Sequence, residues 1–160
     1  MRLFLSIFLC VSVLIQGAVV ADSLAERQGW QVMPTSLGYE ALVGNLKASI
    51  KKEGMLLVTQ ASASSGAKGR GLTIPGNRII GVYRNDYAVR MLEASVAAGI
   101  EAPIRFYVTE NSDGTATLSW KTPGFVFGPY MAEGGVALKE LAAELDQVFL
   151  TIAEGAVASK

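Results

Sequence analysis

The sequence predicts an α+β fold: a single twisted, mainly antiparallel sheet of about five strands, with helices packed on one face. Three observations predict it. Two stretches carry apolar residues at helical spacing, Tyr39, Leu42, Val43, Leu46 and Ile50 in one and Leu138, Leu141, Ala142, Leu145, Phe149 and Ile152 in the other. Two others, Ile104–Glu110 and Thr115–Lys121, alternate apolar with polar residues and so read as strands with one buried face. Between those strands lies Asn111-Ser112-Asp113-Gly114, a hairpin turn in which Gly114 supplies the positive φ, and a hairpin requires an antiparallel pair.

The elements follow in the order β-α-β-β-α-β-β-α. Residues 1–21 read as a secretory signal peptide: Arg2 precedes an apolar run from Leu3 to Val20, interrupted by Ser6, Ser12, Gln16 and Gly17 and closed by small residues before Asp22. Cleavage after Ala21 fits best, with Ser23-Leu24-Ala25 a second site and an uncleaved anchor the alternative, since about 18 apolar residues just span a bilayer. Residues 22–28 are a polar lead-in, 29–155 the single domain and 156–160 a flexible tail.

Gly29–Met33 is a short first strand, ended by Pro34. Thr35 or Ser36 caps the first helix, Lys47, Lys51 and Lys52 lie toward its negative end, and Gly54 stops it. Met55–Gln60 is a mostly buried strand. Ala61–Asn77 is small, polar and glycine-rich, either a connector or a short helix at Ser62–Lys68. Gly66, Gly69 and Gly71 beside Lys68 and Arg70 offer an anion-binding nest, although the spacing is neither a P-loop nor a dinucleotide fingerprint. Arg78–Arg84 is a strand, and Asn85 or Asp86 caps the next helix. That helix turns Ala88, Met91, Leu92, Ser95 and Val96 inward, pairs Arg90 with Asp86 and Glu93 outside, and stops at Gly99. Thr122–Gly135 holds six Pro and Gly breakers and reads as a loop, and the last helix runs Val136–Glu154.

Composition excludes several function classes. The chain has 14 basic and 14 acidic residues, and loss of Arg2 with the leader leaves 13 basic, so the exported domain is near neutral. A neutral domain lacks the electrostatic footprint of a nucleic-acid binder or a polybasic membrane-surface protein. There is no histidine, and the one cysteine, Cys10, lies in the leader. The usual general base, the Ser-His-Asp triad, the thiolate nucleophile and most transition-metal sites are therefore unavailable. A thiol-free domain suits an oxidising compartment. Neither a metal nor another cofactor is expected.

The polar residues concentrate in two places. On Ile104–Glu110 one strand face carries Arg105 and Tyr107, and the partner strand adds Thr117 and Ser119. An arginine flanked by hydroxyls suits a small anion or carboxylate. A solvated outer face or a dimer interface uses the same residues. Arg84, Asn85 and Asp86 sit together at a helix start and serve either as caps or as part of that site. The loop residues Phe125, Phe127, Tyr130 and Met131 are apolar enough to dock a partner or to seal their own core.

Several of these segments together resemble the bacterial family called domain of unknown function 302. They are the amphipathic helix ending in Gly54, Gly71-Leu72-Thr73-Ile74-Pro75, Arg84-Asn85-Asp86-Tyr87-Ala88, Ala98-Gly99-Ile100-Glu101-Ala102-Pro103, the Glu110–Gly114 turn and Thr122-Pro123. The likeness runs over about Gly29–Glu154 and looks most like the secreted branch. It implies an α+β fold similar to that of the TATA-binding protein, in one decorated copy that tends to dimerise, and it implies no established activity. Fold likeness says nothing of DNA binding. Many relatives carry a histidine near the position of Gln60–Ser62, and its absence here removes any metal or redox role built on it.

These readings converge on a secreted or periplasmic, homodimeric, non-catalytic domain. It binds a small anionic ligand or a periplasmic protein partner through the side bearing Arg84, Arg105 and Tyr107. The alternative is a carboxylate enzyme using Asp86 or Glu101, which requires its acids to converge in a pocket. A third reading is an assembly partner built around Phe125–Met131.

Overall fold

The computed structural model describes residues 24–158, so the expected signal peptide and its cleavage point lie outside the described residues. The chain forms β1 (Trp30–Gly38), α1 (Tyr39–Lys52), β2 (Leu56–Ala61), α2 (Ala63–Lys68), β3 (Asn77–Tyr83) and α3 (Asn85–Ala94). After a 3-10 turn at Ala97–Glu101 come β4 (Ile104–Glu110), β5 (Thr115–Lys121) and α4 (Pro123–Val126); a second such turn, Gly128–Tyr130, leads into α5 (Met131–Val157). The sheet is antiparallel throughout, in the order β1-β5-β4-β3-β2. The α+β architecture and the β4–β5 hairpin agree with the sequence reading, the hairpin strands to the residue.

Although β1 and β2 are consecutive strands, they form the two opposite edges. The chain between them must cross the whole sheet. Five strands spaced about 4.8 Å apart are about 19 Å wide, and a 14-residue helix is about 21 Å long. Helix α1 has the length for this crossing. Its stripe of Leu42, Val43, Leu46 and Ile50 is buried and joins one core with the inward sheet face, built from Ile80, Val82, Ile104, Phe106, Val108, Ala116, Leu118 and Trp120. Helix α5 closes that core with Leu138, Leu141, Leu145, Phe149 and Ile152. At its centre the Phe106 and Phe149 rings stack with centroids 4.6 Å apart, and Trp120 tilts against Phe106 at 5.6 Å.

Several boundaries depart from expectation. Pro34 does not end β1, because β1 is an edge strand where a missing N–H costs no ladder bond; Pro34 still pairs with Thr117, and the register shifts only beyond it. Thr35 is not a helix cap. Its hydroxyl donates to the Ala116 carbonyl at 2.7 Å, and Gly38 precedes α1 with no side-chain cap. Strand β2 is not buried. It is an edge, and Leu56 and Val58 are 60% and 46% exposed. Helix α3 starts without an Asn85 or Asp86 cap and ends at Ala94, before Gly99. It buries Tyr87, Ala88 and Met91 but leaves Leu92 in solvent, and Val96, expected inward, lies beyond its end and is exposed. Arg90 pairs across to Glu144 of α5 at 2.7 Å, not with Asp86 or Glu93. The segment Thr122–Gly135 is not an open loop: Thr122 caps α4 through its side chain, and Gly135 (φ 56°) breaks the last helix into a short turn before it and the expected helix after it. At the far end Ala156 is fully buried, so the domain includes it.

Candidate functional site

Ladder register decides which polar side chains meet. On the face turned away from the helices, Ile79, Tyr107, Ser119 and Val32 form one row across the sheet. The next row is Gly81, Arg105, Lys121 and Trp30: Arg105 pairs with Gly81, Lys121 with Trp30, and the two cations lie one step beyond the Phe106–Trp120 pair. Arg105 and Lys121 are both exposed. Like charges opposed across a ladder are destabilising unless a counter-charge joins them. Among the described residues the only ion pairs are Arg84–Asp86 and Arg90–Glu144, so neither cation has a carboxylate partner there.

These side chains line a cleft of about 790 Å³, whose walls include Trp30, Tyr107, Phe125, Pro129 and Glu101. Its size falls within the range of about 300–1,000 Å³ usual for small-molecule sites. Helix α4 forms one wall and is held firmly. The Thr122 N–H donates to the Gly29 carbonyl at 2.9 Å, and the Gly124 N–H donates to Asp146 at 2.9 Å. Burial of Asp146 raises its carboxyl above the ordinary value, partly offset by the Gly124 N–H. The Phe125 ring lies against Gly29, whose φ of +75° and missing side chain allow that approach. Phe125 stays 42% exposed and faces the cleft. The Arg27 guanidinium lies 5.5 Å from the centre of the Trp30 ring and adds a third cation nearby.

The structure separates the residues that the sequence grouped. Arg105 and Tyr107 line the cleft. Ser119 shares their face but is fully buried between Val32 and Tyr107, and its hydroxyl donates to the Tyr107 carbonyl at 3.4 Å. Arg84 is on the other side of the sheet, bounding a void of about 40 Å³ in the helix-side core together with Val82, Tyr87 and Ile104. It stacks over Tyr87 at 4.1 Å and grips Asp86 through two bonds of 2.7 and 3.1 Å. The Arg84 guanidinium holds the Asp86 carboxyl below its usual range, and the same bond raises Arg84. Asn85 accepts a long bond of 3.4 Å from the Tyr83 hydroxyl. Arg84, Asn85 and Asp86 therefore form a local clasp at the start of α3, apart from Arg105.

The loop candidates divide likewise. Phe127 is buried, Tyr130 and Met131 pack against the core, and only Phe125 is presented outward. The Tyr130 hydroxyl donates to Glu101 at 2.8 Å, which raises the tyrosine above its ordinary value. Glu110 accepts from the Gly76 N–H at 2.6 Å. Asp86, Glu101 and Glu110 are thus committed to three different partners, and among the described residues no group of three or more acids, cysteines or histidines converges. Asp86, Glu101 and Glu110, the acids named for the enzyme alternative, do not meet one another. The glycine-rich segment after α2 is committed too. The N–H groups of Gly69, Arg70, Gly71 and Leu72 all bond to carbonyls of Ser65, Ala67 and Lys68, with Gly71 at φ +74°. That is a helix C-cap, and it leaves no open nest.

Sequence reading missed Lys121 and Trp30 as cleft residues. The signal for Lys121 was the alternation itself, since the face carrying Thr117 and Ser119 next carries Lys121.

Residues 31–152 match the family model of DUF302, a domain of unknown function. The chain belongs to the DUF302 family. The crystal structure of an uncharacterised conserved DUF302 protein from Bacillus stearothermophilus superposes with a TM-score of 0.71 at 22% identity, covering 81% of this chain and 99% of that one. At that identity the likeness carries the fold and nothing further. No curated protein matches.

Proposed function

We propose that this DUF302 domain, from the secreted branch of its family, is a non-catalytic module that binds a small anionic ligand in the cleft bearing Arg105 and Lys121. One observation carries the reading: two exposed cations stand side by side in a concave site, and among the described residues neither forms an ion pair. An incoming carboxylate or phosphate supplies the missing counter-charge, and the arginine fork can grip it bidentately. Separate commitment of Asp86, Glu101 and Glu110 favours binding over turnover. The apolar leader supports export to the periplasm or beyond. The bare edge of β2 supports a homodimer. It carries Leu56, Val58 and no charge or proline, whereas β1 guards its edge with Pro34.

The test is thermal unfolding of the processed domain at constant ionic strength with acetate, citrate and phosphate, for wild type and Arg105→Ala. A ligand at a hundred times its dissociation constant stabilises the fold by about 2.7 kcal/mol. The expected result is a dose-dependent shift for wild type that shrinks in the variant. Identical shifts in both proteins remove Arg105 from the site.

A further inference from the structure

The cleft is too large and too apolar for a bare inorganic anion. Beside its cations it presents Trp30, Tyr107 and the exposed ring of Phe125, and most of the wall between them is apolar. A phosphate or acetate ion seated on Arg105 leaves those rings in water. The Phe125 ring is also built into place. Gly29 receives it, the Thr122 side chain caps α4, and Asp146 anchors Gly124. A ring seated against Gly29, on a backbone held at Gly124 and Phe125, has little further freedom to give up on binding, which is the property of a preorganised contact. Glu101 is the one acid on the wall, and it is tied to Tyr130.

From this we infer that the ligand is an anion carrying an aromatic body, of which an arylalkyl carboxylate is the simplest case. Its carboxylate lies on Arg105 and Lys121, and its ring packs between Trp30 and Phe125. The inference rests on the anion-binding reading of the same cleft and narrows it to a ligand class. Ring burial adds affinity through apolar area, and stacking adds geometry. The acid end is held by charge-assisted bonds.

Isothermal titration of the processed domain with indole-3-acetate, indole-3-acetamide and acetate separates the two claims. The expected result is that indole-3-acetate binds at least tenfold tighter than either of the others. Arg105→Ala abolishes its advantage over the amide, and Phe125→Ala reduces its advantage over acetate; Lys121→Ala, a surface change, repeats the first effect should Arg105→Ala fail to fold. Equal affinity for acetate and indole-3-acetate overturns the aromatic inference and leaves anion binding standing. Equal affinity for the acid and its amide overturns anion binding, and absence of binding at millimolar ligand overturns both.

Discussion

Gly29→Ala reaches the cleft through the backbone, and its cost follows from two features. Gly29 has φ +75°, and a side chain there meets the Phe125 ring head on. An L-residue in that left-handed conformation costs about 1–2 kcal/mol. The clash also forces Phe125 off its seat. Phe125 is 42% exposed, so somewhat more than half its surface is buried, and losing that contact costs about 1 kcal/mol. The sum is roughly 2–3 kcal/mol, or a fall in Tm of about 6–15 °C for a domain of this size. Thermal unfolding followed by circular dichroism measures it. A double-mutant cycle isolates the steric part, because in a Phe125→Ala background Gly29→Ala keeps only the backbone strain. The two changes should then couple by roughly 1 kcal/mol. If Gly29→Ala costs the same with and without Phe125, the seating of α4 on Gly29 is not what holds that wall.

Other outcomes follow from single contacts. Asp146 has its carboxyl raised by burial, so its protonated form is favoured by folding; the stability it contributes is full below its unfolded value and is lost as pH rises through the raised one. Asp146→Asn keeps an acceptor for the Gly124 N–H without the buried charge, and should raise Tm at neutral pH while closing the gap to wild type in acid, as pH-dependent melting will show. Val58→Lys places a charge on the bare β2 edge and should yield monomers in sedimentation equilibrium where wild type sediments as a dimer; wild-type monomers would end the dimer proposal. Ser95 is buried, hydrogen-bonds Glu133 and accepts from the Ala98 N–H, so Ser95→Ala should destabilise by about 1–3 kcal/mol in urea unfolding.

Local signals in the sequence carried much of the fold. Strands β4 and β5 were legible to the residue because alternation and an Asn-Ser-Asp-Gly turn are both short-range. Helix α1 was legible in its stripe but not its cap, since Thr35 is drawn into a bond with β5, distant in sequence. Strand β2 reads as buried from Leu56-Leu57-Val58 alone; its edge position depends on pairing order, which no local pattern records. The site was half legible for a related reason. In β3, Ile79 and Ile80 are both apolar, so alternation does not reveal which side faces the helices, and Arg84 cannot be assigned a face from sequence. The pairing of Ile80 with Phe106 settles it and sets Arg84 apart from Arg105. Lys121 and Trp30 emerge as neighbours of Arg105 only once β1 pairs with β5.

Where an anion sits decides between the Arg105–Lys121 cleft and the other cationic segments. Two-dimensional ¹H–¹⁵N spectra of the labelled, processed domain, titrated with indole-3-acetate at fixed ionic strength, locate it directly. Shifts that saturate at Trp30, Arg105, Tyr107, Lys121 and Phe125 are the predicted result. Shifts gathered around Arg84–Asp86 or the Gly66–Gly71 segment, or none at several millimolar ligand, would contradict it.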